Sequence, residues 1–233
     1  MSAAAPSPAP RIALIHATRL SMAPIEETFA ARWPEAERFH LLEEALSADR
    51  AHAPAGAASM EARFVALSRY AQMAGADGIL YTCSAFGAEI EAARRAVPLP
   101  TLKPNEAILE EALAIGSRIG LVATFEPSLG SIGDELRALA RERGVSITIA
   151  PAFAPDAMAA LGRGDVAAHD RGVADAARRL SVDAVVLAQF SMARARPAVA
   201  AAVSVPVLTS PDSAVDAMRR AMTAAPPKPQ EPT

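Results

Sequence analysis

Short apolar runs alternate with longer stretches in which apolar and polar residues recur at helical spacing. The apolar runs are RIALIHA at 11–17, RFHLL at 38–42, GILYT at 78–82, RIGLVAT at 118–124, VSITIA at 145–150, AVVLAQ at 184–189 and VPVLT at 205–209. Helices are predicted between them over about 23–33, 59–74, 86–96, 104–115, 128–142, 165–179, 193–202 and 212–223. Strand and helix in regular alternation predict an α/β protein with parallel sheets, because each parallel pair needs a crossover helix.

The pattern also repeats. Arg11-Ile12-Ala13-Leu14-Ile15 matches Arg118-Ile119-Gly120-Leu121-Val122 at an offset of 107, and Asp77-Gly78-Ile79-Leu80 matches Asp183-Ala184-Val185-Val186 at 106. Pro100-Thr101-Leu102 matches Pro206-Val207-Leu208 at the same offset. Near-constant spacing predicts two similar halves. Residues 11–103 form the first, completed by 205–223, and 104–204 form the second, with a cleft between them. The segments 1–10 and 224–233 are rich in Pro with Ala or Lys and are read as disordered tails.

Composition narrows the function. Of 233 residues, 52% are hydrophobic, enough for real cores, and 23 Lys+Arg against 26 Asp+Glu leave a net charge of −3 with no basic run for nucleic acid. The opening MSAAAPSPAP lacks the charge and apolar core of an export signal, and IALIHA is too short to span a bilayer. A cytoplasmic protein with no membrane partner is expected; a homo-oligomer stays open. The single cysteine, Cys83, can form neither an internal disulfide nor a zinc site.

In parallel sheets, ligands collect beyond the carboxyl ends of the strands. Cys83 stands there, between Thr82 and Ser84 and ahead of a helix whose dipole would favour the thiolate. An unpaired cysteine is equally often an inert core residue. The hydroxyls on both sides favour the reactive reading, since apolar packing needs neither.

Tyr81-Thr82-Cys83-Ser84-Ala85, Leu121-Val122-Ala123-Thr124 and Pro206-Val207-Leu208 with a last helix resemble the aspartate/glutamate/hydantoin racemase superfamily over about 11–220. The resemblance implies two α/β halves, a C-terminal helix returning to the first half, and a small carboxylate substrate in the cleft. It also implies no cofactor, neither pyridoxal phosphate nor metal, and two cysteines facing each other across the substrate's α-carbon. Here the second cysteine position holds Gln189, which has no useful proton-transfer pKa; the internal repeat also equates it with Cys83.

Three readings follow. His16, at the end of the first strand, supplies the second acid/base of a racemase or isomerase. Alternatively Cys83 protonates one face only, as arylmalonate decarboxylases of this superfamily do, or the protein binds a carboxylate without catalysis. Substrate oxygen is expected to meet Thr18, Ser21, Thr82, Ser84, Thr124, Ser128 and Ser191, each of which also suits a helix cap. A periplasmic-type binding module would share the two-lobed outline but needs an export signal. Gly162-Arg163-Gly164-Asp165 lacks the third glycine of a dinucleotide fingerprint and reads as a turn capped by Asp165. His40, His52 and His169 share no spacing and receive no role.

Overall fold

A computed structural model of the chain describes residues 9–50 and 52–224. The expected tails at 1–10 and 224–233 lie almost wholly outside the described residues.

The first half contains β1 (Arg11–His16), α1 (Met22–Arg32), β2 (Glu37–Leu42), α2 (Ala45–Asp49), α3 (Met60–Met73), β3 (Gly78–Tyr81), α4 (Gly87–Ala96) and β4 (Thr101–Leu102). After α5 (Glu106–Ile115) the second half runs β5 (Arg118–Ala123), α6 (Glu126–Glu142), β6 (Thr148–Phe153), α7 (Ala157–Gly162), α8 (Val166–Arg178), β7 (Ala184–Leu187), α9 (Arg196–Ala200), β8 (Val207–Thr209) and α10 (Ser210–Ala224). Two four-stranded, all-parallel sheets result, ordered β2-β1-β3-β4 and β6-β5-β7-β8.

The two sheets repeat in register as well as in order. Ile12 pairs with Gly78 in the first and Ile119 with Ala184 in the second. Asp77 accepts the Arg11 backbone N–H at 2.7 Å, and its counterpart Asp183 accepts that of Arg118 at 2.9 Å. The central strands are continuous apolar runs because both sheet faces are covered by helices. In the first sheet, Ile15, Ile79 and Tyr81 pack toward Phe64 and Ile90, while Ile12, Leu14 and Leu80 pack toward Phe29 and Met218.

Two helices cross over. α5 follows the first sheet but packs on β7 and α6 of the second, whereas α10 follows the second sheet and packs on α1 and β3 of the first. The approach of α10 is close: a Cβ on Gly78 would lie 2.9 Å from Met218 Sδ. This exchange joins the halves through shared cores, since Phe190 of the second half belongs to the cluster built on Ile12, Leu14 and Met218.

Two expectations are corrected. The strand at 205–209 does not complete the first half: β8 pairs with β7, Val185 opposite Val207. The repeat explains why, because β8 is the counterpart of β4 and takes the same edge position; only the helix after it returns. The strand expected at 145–150 lies at Thr148–Phe153, running through Pro151. A proline is tolerated there because β6 is an edge strand, where a missing N–H breaks no ladder on the outer side. Asp165 caps α8, accepting the Ala168 N–H at 3.0 Å. Among the described residues no helix is long and apolar enough to cross a membrane.

Candidate active site

The loops after β1, β3, β5 and β7 open toward one another and enclose a cavity of about 420 Å³. Both halves line it. Thr18, Ser21, Thr82, Cys83 and Ser84 come from the first half, and Ser128, Gln189 and Ser191 from the second. His16 and Thr124 are absent from the lining and stand one layer behind, holding residues that do line it.

Cys83 and Gln189 follow equivalent strands at the same distance, two residues past Tyr81 of β3 and Leu187 of β7. Cys83 is 6% exposed and sits over the end of β1, with Sγ 4.0 Å from the Ile15 carbonyl. The sequence suggests a thiol activated by a helix dipole; the structure corrects this. α4 begins at Gly87, and the dipole acts mainly within the first turn. Burial instead pushes the thiol up to about 12. The backbone N–H groups of Thr82, Ala17 and Cys83 favour the thiolate but do not outweigh the lost hydration, and Glu89 adds to the upward push.

Gln189 is fixed by its partners. Its Oε1 accepts from the backbone N–H of Thr124 at 2.6 Å and of Phe125 at 3.3 Å, and lies 3.2 Å from the Thr124 hydroxyl. A backbone N–H can only donate, so the atom it meets must be the amide oxygen. The amide NH₂ has no protein partner among the described residues and faces the cavity as a donor.

His16 is fully buried. Its Nδ1 is 2.7 Å from Thr82 Oγ1 and 3.3 Å from Ser21 Oγ, and its Nε2 is 2.8 Å from His40 Nδ1. With both ring nitrogens engaged and Thr82 and Ser21 between it and the cavity, the imidazole cannot reach a substrate carbon. Burial pushes it down to about 4, His40 adding in the same sense and Glu26 opposing.

The rim holds residues that the sequence reading passed over. α2 brings Glu44, Ser47 and Arg50 to the cavity, and Phe125 and Met158 form an apolar lip opposite. Glu44 is neutralised by Arg19, which bonds both its oxygens at 3.1 and 2.9 Å. Arg50 has no acidic partner among the described residues and lies over the Phe86 ring, 4.8 Å from its centroid. A short helix of five residues leaves no periodic signal, so only a search for cations near strand ends could have flagged Arg50. Among the described residues, no group of three or more His, Cys, Asp or Glu side chains is gathered to hold a metal ion.

A family model described as Asp/Glu/Hydantoin racemase matches residues 14–218. The chain belongs to that family. Solved structures agree in fold. A glutamate racemase from Bacillus anthracis superposes with a TM-score of 0.70 at 12% identity, covering 92% of this chain and 82% of that one. An allantoin racemase from Klebsiella pneumoniae gives 0.65 at 19% identity, covering 91% and 87%. The Gly74Cys mutant of an arylmalonate decarboxylase gives 0.61 at 21% identity, covering 93% and 95%. No curated protein sequence matches the chain.

Proposed function

We propose that this racemase-family chain moves a proton at a carbon next to a carboxylate, and that the Cys83 thiol carries that proton. The observation that supports this most is the setting of Cys83: a lone thiol on the wall of an inter-half cavity, with the Arg50 guanidinium at the rim and amide and hydroxyl groups around it. Removing a proton from such a carbon puts charge on the carboxylate oxygens, so the site must offer donors to them. The Gln189 NH₂, the hydroxyls of Ser84, Ser128 and Ser191, and the Arg50 guanidinium are the available ones. In the step itself, Cys83 first passes its thiol proton to water in the cavity; the thiolate then takes the α-proton, forming S–H as the C–H bond breaks, and the C–H electron pair becomes the enediolate. Return of the proton from sulfur restores the carboxylate. The chemistry calls on no cofactor.

A second reading is favoured by the burial of Cys83, which pushes its pKa up and so favours the thiol over the thiolate. An acid poised to give rather than take a proton suits a carbanion formed another way, by loss of CO₂ from a malonate, which leaves the same enediolate for Cys83 to protonate on one face. Both readings are tested together by incubating amino acids, hydantoins and arylmalonates in D₂O and following Cα deuterium and CO₂ loss by NMR. Turnover that disappears in Cys83→Ser supports the proposal. Turnover that survives excludes Cys83, and an inactive wild-type protein that still binds the carboxylates identifies a binding protein instead.

A further inference from the structure

Behind the Cys83 wall lies a chain of four hydrogen-bonded side chains that the proposed chemistry does not use. Glu26 of α1 meets His40 Nε2 at 2.9 Å, His40 Nδ1 meets His16 Nε2 at 2.8 Å, and His16 Nδ1 meets Thr82 Oγ1 at 2.7 Å. The two imidazoles are stacked, with centroids 5.0 Å apart and planes 17° from parallel. The chain runs from a part-exposed carboxylate to the residue beside Cys83. Burial raises Glu26, but the hydrogen bonds and charges of Arg38 and His40 outweigh that and hold it below the usual carboxylate range.

The order of the protons follows from the atoms. An ionised carboxylate only accepts, so His40 Nε2 carries a hydrogen. With His40 neutral, its Nδ1 accepts, and His16 Nε2 must carry the next one. The Nδ1 of neutral His16 is then bare and accepts; Thr82 Oγ1 at 2.7 Å is the shorter contact, against Ser21 Oγ at 3.3 Å, and the other acceptor of Thr82, the Ile15 carbonyl, is 3.4 Å away. Ser21 Oγ lies 2.9 Å from both Thr82 Oγ1 and the Thr18 carbonyl, so its hydroxyl proton also has acceptors inside the protein. Both hydroxyl protons thus have acceptors inside the protein, and both residues line the cavity.

We propose that Glu26 and His40, neither of which lines the cavity, are positioning residues that act through His16 to hold the Thr82 hydroxyl as a hydrogen-bond acceptor beside Cys83, reserving that wall for an N–H or O–H group of the ligand. The proposal rests on the reading of this cavity as the place where Cys83 meets a carboxylate. It adds a direction. The Gln189 wall donates and the Thr82 wall accepts, so a bound molecule turns its carboxylate toward the second half and its N–H or O–H group toward the first. A proton added to His40 reverses the order: His40 Nδ1 donates, His16 moves its hydrogen to Nδ1, and the Thr82 hydroxyl is released to donate. The titratable and charged groups facing His40 are Glu26 from α1, His16 from β1, and Arg38 on its own strand acting through Glu26.

Two measurements test this without turnover. In protein labelled with ¹⁵N-histidine, long-range ¹H–¹⁵N spectra at pH 8 read each tautomer; His16 and His40 are both expected as Nε2–H. A His16 Nδ1–H form at pH 8 overturns the proposal. Cys83 then serves as a reporter for its neighbour, through its rate of alkylation by iodoacetamide, which carries amide N–H groups, relative to iodoacetate, which carries only acceptors. His40→Phe keeps a stacked ring but offers His16 no acceptor, and is expected to lower that ratio about threefold or more at pH 8, the size of one net hydrogen bond. Glu26→Gln is expected to lower it less, and it decides the matter should His40→Phe fail to fold. An unchanged ratio in the folded variants overturns the proposal. If instead Cys83→Ser retains turnover, the proton-transfer reading falls while these two results stand.

Discussion

The loops that follow β3 and β7 occupy equivalent places in two repeated halves, and the contrast between them is chemical. After β3 the wall carries a thiol and a buried hydrogen-bonded chain of ionisable groups reaching back to Glu26. After β7 it carries an amide locked to the backbone of Thr124 and Phe125. On the proposed reading, a duplicated scaffold presents one wall that moves protons and one that binds. Two-sided proton exchange at a carbon needs acid/base groups on both walls; the proposal places one only at Cys83.

The largest effect that would break the contrast is chemical. Cys83→Ser is expected to lower proton exchange by about 10²–10⁴-fold, the range of a lost general acid or base, with a small change in thermal stability because the side chains are nearly isosteric. The measurement is Cα deuterium incorporation beside a melting curve. The mirror substitution, Gln189→Cys, is expected to raise exchange on the second face and erode any stereoselectivity; no change in either would mean that Gln189 does not face the reacting carbon.

Stability against pH sharpens the contrast next. His16 has its pKa lowered on folding from 6.5 to about 4, so the unfolded chain binds more protons between those values and stability falls as pH drops through that window. The full difference corresponds to about 3 kcal/mol. Urea unfolding at pH 7 and pH 4.5 is expected to show most of it in the wild type and little in His16→Leu, which is less stable at both. Substitution of Gln189 leaves the pH slope intact. Gln189→Leu is instead expected to cost about 1–3 kcal/mol at every pH, because the Thr124 and Phe125 N–H groups lose their buried acceptor.

The smallest effect is at the rim. Arg50 is exposed and unpaired among the described residues, so Arg50→Ala is expected to change stability by less than about 0.5 kcal/mol. It is expected to weaken binding of an anionic ligand severalfold, an effect that fades with added salt. Equal binding by the variant at low salt would remove Arg50 from the site.

Much of the fold was legible because β1, β3, β5 and β7 are continuous apolar runs bounded by turns, and because the offsets tying Arg11 to Arg118 and Asp77 to Asp183 reflect repeated strand-start contacts. β4, two residues long, has too little chain for a periodic signal. β6 was misplaced because Pro151 reads as a strand end unless its edge position is known. The exchange of α5 and α10 depends on long-range packing that no local pattern encodes. At the site, the place of Cys83 on the cavity wall was legible from its position after a strand. The position of His16 behind Thr82 was not: in β1 successive residues alternate between faces, and only the partner at the edge, His40 on β2, shows which group claims the ring.

The most direct test of one-sided chemistry is the stereochemical course of the exchange. With a substrate found in the D₂O screen, the ratio of Cα deuterium incorporation to inversion is measured at early times by NMR and chiral chromatography. Exchange that outruns inversion by a large factor, or a single enantiomer formed from a prochiral malonate, is the result expected when only the Cys83 wall moves protons. Inversion as fast as exchange would contradict it, since a second acid/base would then have to act beside Cys83, in a cavity where the second half contributes the Gln189 amide.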